Sequence, residues 1–257
     1  MERRGNYGYD APYALVAFAA VGTASLAVSL VSWWNDSGRP AAMFAFYAVF
    51  FLANAASFFH TTTRGKFLVW EEILDGLRLR GDEQVLDMGC GRGAVLTAVA
   101  RRLRAGRAAG VDLWSKLDQS GNSSEVTLRN ASLEGVGDRI EIHTGDMRAL
   151  PFPEGAFDLV VSSLAIHNIS SNADRAKAIA EAFRVLKPGG RLAIADIRAT
   201  AVYARTLLGL GATRIARRGL GWRFWYGNPF AGTTLVTASK PEATRGTGPA
   251  RFLGGAA

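Results

Sequence analysis

The sequence predicts an α/β protein: a doubly wound, seven-stranded, mostly parallel sheet preceded by a transmembrane α-helical hairpin. Three observations predict it. Two long stretches near the N-terminus carry no charge. From about residue 63, short apolar strands alternate with amphipathic helices. The first of those strands runs into a glycine-rich turn.

The 257 residues are 49% hydrophobic and 20% charged, which excludes a disordered chain. A single cysteine, Cys90, excludes a disulfide framework and an all-cysteine metal site. His60, His143 and His167 lie too far apart for metal-ligand spacing, so no metal is expected. The net charge of +8 is uneven. In residues 1–60, Arg3, Arg4 and Arg39 balance Glu2, Asp10 and Asp36, so the whole excess lies beyond residue 60.

Residues 11–34 and 41–59 are free of charge. As helices they would extend roughly 36 and 29 Å, against a hydrocarbon core of about 30 Å. Asp10 suits the cap of the first helix and Pro12 its first turn. Trp33 and Trp34 fall where an interfacial aromatic belt belongs. The polar link Asn35–Pro40 makes the two helices antiparallel neighbours. Gly22, Ser25, Ser29 and Ser32 form one small face, and Ala41, Ala45, Ala48 and Ala55 another. Such faces let helices approach closely, within the hairpin or in a homo-oligomer. A buried soluble hairpin and a cleaved signal peptide are the alternatives; a signal peptide does not explain two spans. Arg3, Arg4, Arg64 and Lys66 flank the pair, whereas its loop holds one arginine. The positive-inside rule then predicts a membrane protein with both termini and the following domain cytoplasmic, and membrane lipid as a partner.

Three segments are expected: a hairpin over 1–62, an α/β domain over 63–241 and a flexible tail over 242–257, rich in Gly, Ala and Thr. In the domain, Thr63–Leu79 is amphipathic through Phe67, Trp70, Ile73, Leu74 and Leu77. Gln84–Met88 is the first strand and Ala94–Ala105 the next helix. Ala109–Leu113 is a strand, and Asn122–Leu133 a helix capped by Asn122. Arg139–His143 and Phe157–Ser163 are strands, the latter an unbroken apolar run suited to a sheet covered on both faces. Ala173–Leu186 is a helix capped by Asn172 and ended by Lys187-Pro188-Gly189-Gly190. Arg191–Ile197 is a strand and Thr200–Leu210 a helix. The strands Thr213–Gly219 and Ala231–Ser239 pair as a hairpin, so one of them runs antiparallel.

Ligands of such sheets bind at the carboxyl ends of the strands. The first strand ends in Asp87-Met88-Gly89-Cys90-Gly91-Arg92-Gly93. Gly89, Gly91 and Ala94 also satisfy the dinucleotide pattern, whose helix N-terminus holds a pyrophosphate. Asp87 argues against that, because a carboxylate repels a pyrophosphate and attracts a cation. The second strand ends in Asp112, spaced as a ribose-diol acceptor. The third leads into Thr144-Gly145-Asp146-Met147, a second acidic position.

In order and spacing, these segments resemble the class I S-adenosylmethionine-dependent methyltransferases over about residues 63–241. The resemblance implies S-adenosyl-L-methionine as cofactor. It implies that Asp87, Gly89, Cys90, Gly91 and Gly93 meet its amino acid end and that Asp112 takes the ribose. Leu113 or Trp114 would pack on the adenine, Asp146 and Met147 would flank it, and Ser163 and Leu164 would lie near the methylthio group. His167, four residues beyond Ser163, is the candidate general base; capping the next helix is its alternative role. Cys90 is expected to be a small filler of the turn. The stretch Asp118–Ser123 reads as a lid or as the loop into the next helix. The aromatic loop 222–230 reads as a pocket wall, a membrane-interface element or edge packing.

The expected function is methyl transfer to a small, apolar acceptor at an O, S or N nucleophile, by a membrane-anchored enzyme. A protein or nucleic-acid methyltransferase is one alternative. Against nucleic acid, there is no appended binding module, and the fourth strand is followed by Leu164-Ala165-Ile166-His167 rather than an Asn/Asp-Pro-Pro-Tyr motif. A nicotinamide oxidoreductase is disfavoured by Asp87 and by the final hairpin, and a non-catalytic cofactor-binding membrane module remains open. Deleting residues 1–60 is expected to leave a soluble domain that still binds cofactor.

Overall fold

The two uncharged runs form α1 (Pro12–Trp34) and α2 (Gly38–His60), joined by a three-residue turn and therefore antiparallel. The computed structural model describes residues 3–115 and 119–242, so all but the first residue of the expected tail, and Asp118 of the polar stretch, lie outside the described residues. The small faces meet each other: Gly22, Ser25 and Ser29 are buried on α1, and Ala41, Ala48 and Ala55 on α2. Ser29 Oγ donates to the Ala41 carbonyl at 2.8 Å. A Cβ on Gly22 would lie 2.8 Å from the Leu52 side chain, so only glycine allows this approach. The large side chains, among them Val16, Leu30, Val31, Phe46, Val49 and Phe50, face outward. Both helices are long and apolar enough to cross a membrane.

The helix does not stop at the expected boundary between residues 62 and 63. It passes through a π-helical turn, Thr61–Gly65, into α3 (Lys66–Leu77), giving one helical run of 40 residues. Single π turns mark places where side chains are re-aimed. Here the hydroxyl of Thr61 donates to the Trp225 carbonyl at 2.6 Å, and that of Thr62 to Asp10 at 3.1 Å.

The sheet contains β1 (Gln84–Met88), β2 (Arg107–Asp112), β3 (Ile140–Thr144), β4 (Phe157–Ser163), β5 (Leu186–Asp196), β6 (Thr213–Gly219) and β7 (Thr234–Ser239). Their order is β3-β2-β1-β4-β5-β7-β6, with β1 to β5 parallel and β7 antiparallel to both neighbours. The expected doubly wound sheet with a closing hairpin is therefore present. The helices α4 (Ala94–Ala100), α5 (Ser124–Leu133), α6 (Asn172–Arg184) and α7 (Thr200–Gly209) complete the layers with α3. One core contains Trp70, Leu74, Val85, Leu96 and Val161; the other contains Leu86, Met88, Val160, Ile179 and Tyr203. Strand order reverses between β1 and β4, which opens a crevice at their carboxyl ends.

Several boundaries differ from the sequence reading. The helix after the glycine turn ends at Ala100 rather than Ala105, β3 is shifted one residue onward, and β7 begins at Thr234. β5 starts at Leu186, so Lys187–Gly190 lies inside the strand. The caps are Ser123 and Ser171, not Asn122 and Asn172; each hydroxyl accepts a backbone N–H, a contact worth about 1 kcal/mol. Asp10 does not cap α1: the residue before the helix is Ala11, in the left-handed region at φ 36°.

Residues 3–10 fold against the α/β unit instead of trailing from the hairpin. The backbone N–H groups of Arg4 and Gly5 both donate to Glu134 at 3.0 Å, and that of Asn6 donates to Asn130 at 2.9 Å. The buried Tyr7 hydroxyl lies 2.9 Å from Thr97 Oγ1 and 3.0 Å from Glu134. Burial pushes the Tyr7 phenol above its ordinary range.

Candidate active site

A cavity of about 470 Å³ opens at the switch point, where the ends of β1, β2 and β4 face α1, α2 and α3. Asp87, Gly89, Cys90 and Gly91 line one half of it, with Asp112, Leu113, Met147, Ser163 and Leu164. The turn is shaped by its glycines. Gly89 adopts φ +71°, and a Cβ there would collide with the Ala165 methyl. The Gly89 and Cys90 N–H groups donate to the Val111 carbonyl at 2.8 and 3.2 Å. Thr127 Oγ1 and Asn130 Nδ2 hold the carbonyls of Gly91 and Arg92.

Asp87 is 1% exposed, and neither carboxylate oxygen has a hydrogen-bond partner among the described residues. Burial, with the charge of Asp112 second, pushes its carboxyl up to about 8. An orphaned buried carboxylate facing a cavity is the electrostatic complement of a cation. Burial also pushes the Cys90 thiol up, against a thiolate role.

Asp112 is held by the chain itself. Its oxygens accept from Gly91 N at 2.8 Å, Trp114 N at 2.6 Å and Asn122 Nδ2 at 3.2 Å. This use of Asn122 is why it does not cap α5. Gly93, Trp114 and Asp146 are not among the cavity-lining residues; Gly93 packs instead against Thr127 and Thr97. Trp114 has φ +61° and turns its indole to Thr144 Oγ1 at 2.8 Å. Asp146 is engaged by Arg148 at 2.6 Å, and that hydrogen bond holds its carboxyl below the usual range. Met147, beside it, does reach the cavity.

His167 sits in the short turn Ile166–Asn168 after β4, and its side chain lines the cavity. Its Nδ1 lies 2.6 Å from Oδ1 of Asp196, a fully buried residue at the end of β5. Asp196 Oδ2 also accepts the His167 backbone N–H at 3.0 Å and the Tyr203 hydroxyl at 2.9 Å. Burial and the Asp196 charge push the Tyr203 phenol up. The ring is thus seated against a buried carboxylate, close to it but without hydrogen-bond alignment at Nδ1. Sequence reasoning missed Asp196; its signal is a carboxylate closing the apolar run Leu192–Ala195.

The other half of the cavity is apolar and belongs to the helices and the last loop: Tyr13 and Phe18 of α1, Phe58 of α2, Phe67 and Trp70 of α3, and Tyr226. Trp70 Nε1 donates to Ser163 Oγ at 2.9 Å, tying α3 to the end of β4. At the seam between the halves, Lys66 Nζ pairs with Asp10 at 2.7 Å, and the Tyr226 hydroxyl donates to the same carboxylate at 2.7 Å. Burial first, and Asp10 next, pushes the Tyr226 phenol well up. Gln119 links this cluster to the turn: its Nε2 donates to Asp10 Oδ1 at 3.3 Å, and its Oε1 accepts from Arg92 N at 2.8 Å.

Residues 86–194 match the family model described as a methyltransferase domain. The α/β unit has the seven-stranded, Rossmann-like fold of methyltransferases. The ubiquinone/menaquinone biosynthesis C-methyltransferase UbiE of Roseobacter denitrificans is 32% identical over 129 residues, covering 50% of this chain and 48% of that protein. The chain spans about half or less of the length of the curated relatives it matches. Among solved structures, the [4+2]-cyclase SpnF superposes with a TM-score of 0.59 at 20% identity, over 71% of this chain and 84% of that one. Geranyl diphosphate C-methyltransferase from Streptomyces coelicolor A3(2), with S-adenosyl-L-homocysteine bound, gives 0.56 at 18% identity, over 70% and 80%. These two likenesses concern the fold. Because a cyclase shares it, the reaction must be argued from the site.

The cofactor of this methyltransferase class is S-adenosylmethionine, and the residues present fit it. The orphaned Asp87 matches its positive charge, and the glycine turn leaves room for its body. When bound, it supplies an electrophilic methyl group. Among the described residues, no cluster of His, Cys, Asp and Glu suits a metal ion.

Proposed function

We propose that the chain is a membrane-anchored methyltransferase that acts on a small lipophilic acceptor, with S-adenosylmethionine as methyl donor. The observation that carries this reading is the continuity of the cavity: Asp87 and the glycine turn lie in one half, and Tyr13, Phe18, Phe58 and Trp70 wall the other. The acceptor chamber is therefore made by the helices that are long enough to span a membrane. Lipophilic acceptors also appear in the names of its relatives and structural neighbours, a quinone biosynthesis C-methyltransferase and a geranyl diphosphate C-methyltransferase. Membrane anchoring with both termini cytoplasmic belongs to this proposal, on the basic flanks of the hairpin.

In this reading Asp87, Gly89, Cys90 and Gly91 receive the amino acid end of the cofactor, Asp112 the ribose, and Leu113 and Met147 the adenine. Ser163 and Leu164 border the methyl group. The protein's contribution is alignment and exclusion of water. His167 Nε2 takes the proton of an acceptor that arrives protonated, and Asp196 positions its ring. His167→Ala is expected to lower kcat by roughly 10²-fold or more, the usual worth of a positioned base, and to spare cofactor affinity. Asp196→Asn should lower kcat less, again without changing cofactor KM. Steady-state kinetics checks both; unchanged turnover in His167→Ala would remove the base role.

The test of the function is transfer of label from methyl-tritiated S-adenosylmethionine to a membrane extract and to panels of phenols, thiols and amines. Labelled lipid-soluble product supports the reading. Label found only in protein or nucleic acid would replace it.

A further inference from the structure

The loop after β6 does not stay at the sheet edge. It climbs the long helix. Arg223 makes a bidentate pair with Glu72 of α3 at 2.6 and 2.8 Å. The Arg223 carbonyl packs on Gly65, and the Trp225 carbonyl accepts from Thr61. The Tyr226 ring meets Phe58 edge-on at 5.0 Å. Gly227 packs against Asn54 and Phe18, and Asn228 Nδ2 donates to Asn54 Oδ1 at 2.8 Å. Asn54 lies five residues inside the uncharged run that ends at Phe59, or about 8 Å along the helix.

Beyond this contact the chain makes the turn Pro229–Ala231, and Phe230 is 99% exposed. Residues 224–231, Phe-Trp-Tyr-Gly-Asn-Pro-Phe-Ala, carry no charge. The one polar side chain among them that reaches into the hairpin is paired by Asn54, as an amide at membrane depth requires. The bare phenylalanine thus follows, two residues on, the asparagine that is anchored to α2.

We propose that the loop Trp222–Ala231 is a third membrane-inserted element, with Phe230 in the acyl region of the bilayer and the Asn54–Asn228 amide pair fixing its depth. Trp222, 62% exposed and stacked on His60 at 5.2 Å, marks the interface. The inference rests on the membrane reading of the hairpin. Since Tyr226 and Ala231 line the cavity, it also makes the loop the wall that faces lipid.

The test uses the full chain in phosphatidylcholine–phosphatidylglycerol vesicles, with a nitrobenzoxadiazole label on Phe230→Cys. Labels on Phe46→Cys, in the hairpin, and on Leu208→Cys, exposed on α7, serve as references. The parent chain, whose Cys90 is buried, gives the background. The Phe230 label should emit to the blue of the Leu208 label, be quenched by acyl-chain nitroxide lipids and lose quenching by aqueous iodide. Asn228→Ala should restore part of the iodide quenching. If the Phe46 label is lipid-quenched while the Phe230 label stays open to iodide, the loop proposal is overturned and the hairpin reading stands. If the Phe46 label is itself open to iodide, the hairpin reading fails first.

Discussion

Asparagine in place of Asp87 is expected to raise the melting temperature of the cofactor-free protein and to cut cofactor affinity by roughly 100-fold or more. Both effects come from one buried carboxylate with no partner among the described residues. Its folded-state value is raised to about 8 by burial and by Asp112. An unfolded aspartate titrates near 3.9. Between these values the folded chain keeps a proton that the unfolded chain releases, so the wild type loses stability as pH rises through this window. The advantage of the asparagine variant should be absent below about pH 4, grow up to about pH 8 and then level off. For the affinity, removing one member of a buried charge pair costs about 3–5 kcal/mol, and 1.4 kcal/mol is tenfold. Thermal melting against pH and titration calorimetry check the two halves. A lower melting temperature together with unchanged affinity would mean that Asp87 is a structural residue.

A chain that begins at Thr61 is expected not to yield a folded, cofactor-binding domain, contrary to the sequence reading. The deletion removes more than an anchor. It takes Tyr7 away from Thr97 and Glu134, and Asn6 away from Asn130. It also removes Asp10 and leaves the Lys66 ammonium, 6% exposed, without its carboxylate. Breaking a buried pair costs about 3–5 kcal/mol, a large share of the 5–15 kcal/mol that holds an ordinary domain. Phe58 and Phe18 leave the cavity wall at the same time. Asp10→Asn in the full chain isolates the ionic part and should lower the melting temperature by several degrees while the protein still folds. A monodisperse truncated domain with wild-type affinity for cofactor would contradict this account.

How much of this was legible depended on whether local pattern or tertiary demand decided each residue. Strands β1, β4 and β6 were read to the residue, because continuous apolar or turn-bounded runs leave little choice of register. The caps were misplaced by one residue. Neighbouring Ser and Asn cap about equally well, and only the fold shows that the Asn122 amide is claimed by Asp112. Asp10 reads as a cap because its partners, Lys66 and Tyr226, lie 56 and 216 residues away. The acidic site position Asp146 was plausible by order, but Arg148 two residues on occupies it, a local pairing the sequence already contains. Asp196 closes the apolar run Leu192–Ala195, but that pattern alone carries no role until the fold sets His167 beside it.

The most direct test of the central claim, that a partnerless carboxylate above a glycine turn is built for a sulfonium nucleoside, is calorimetric titration of the full chain in detergent with S-adenosylmethionine. The account predicts saturable binding that Asp87→Asn loses and His167→Ala keeps. No binding, equal binding by both variants, or displacement of the cofactor by a dinucleotide would contradict it.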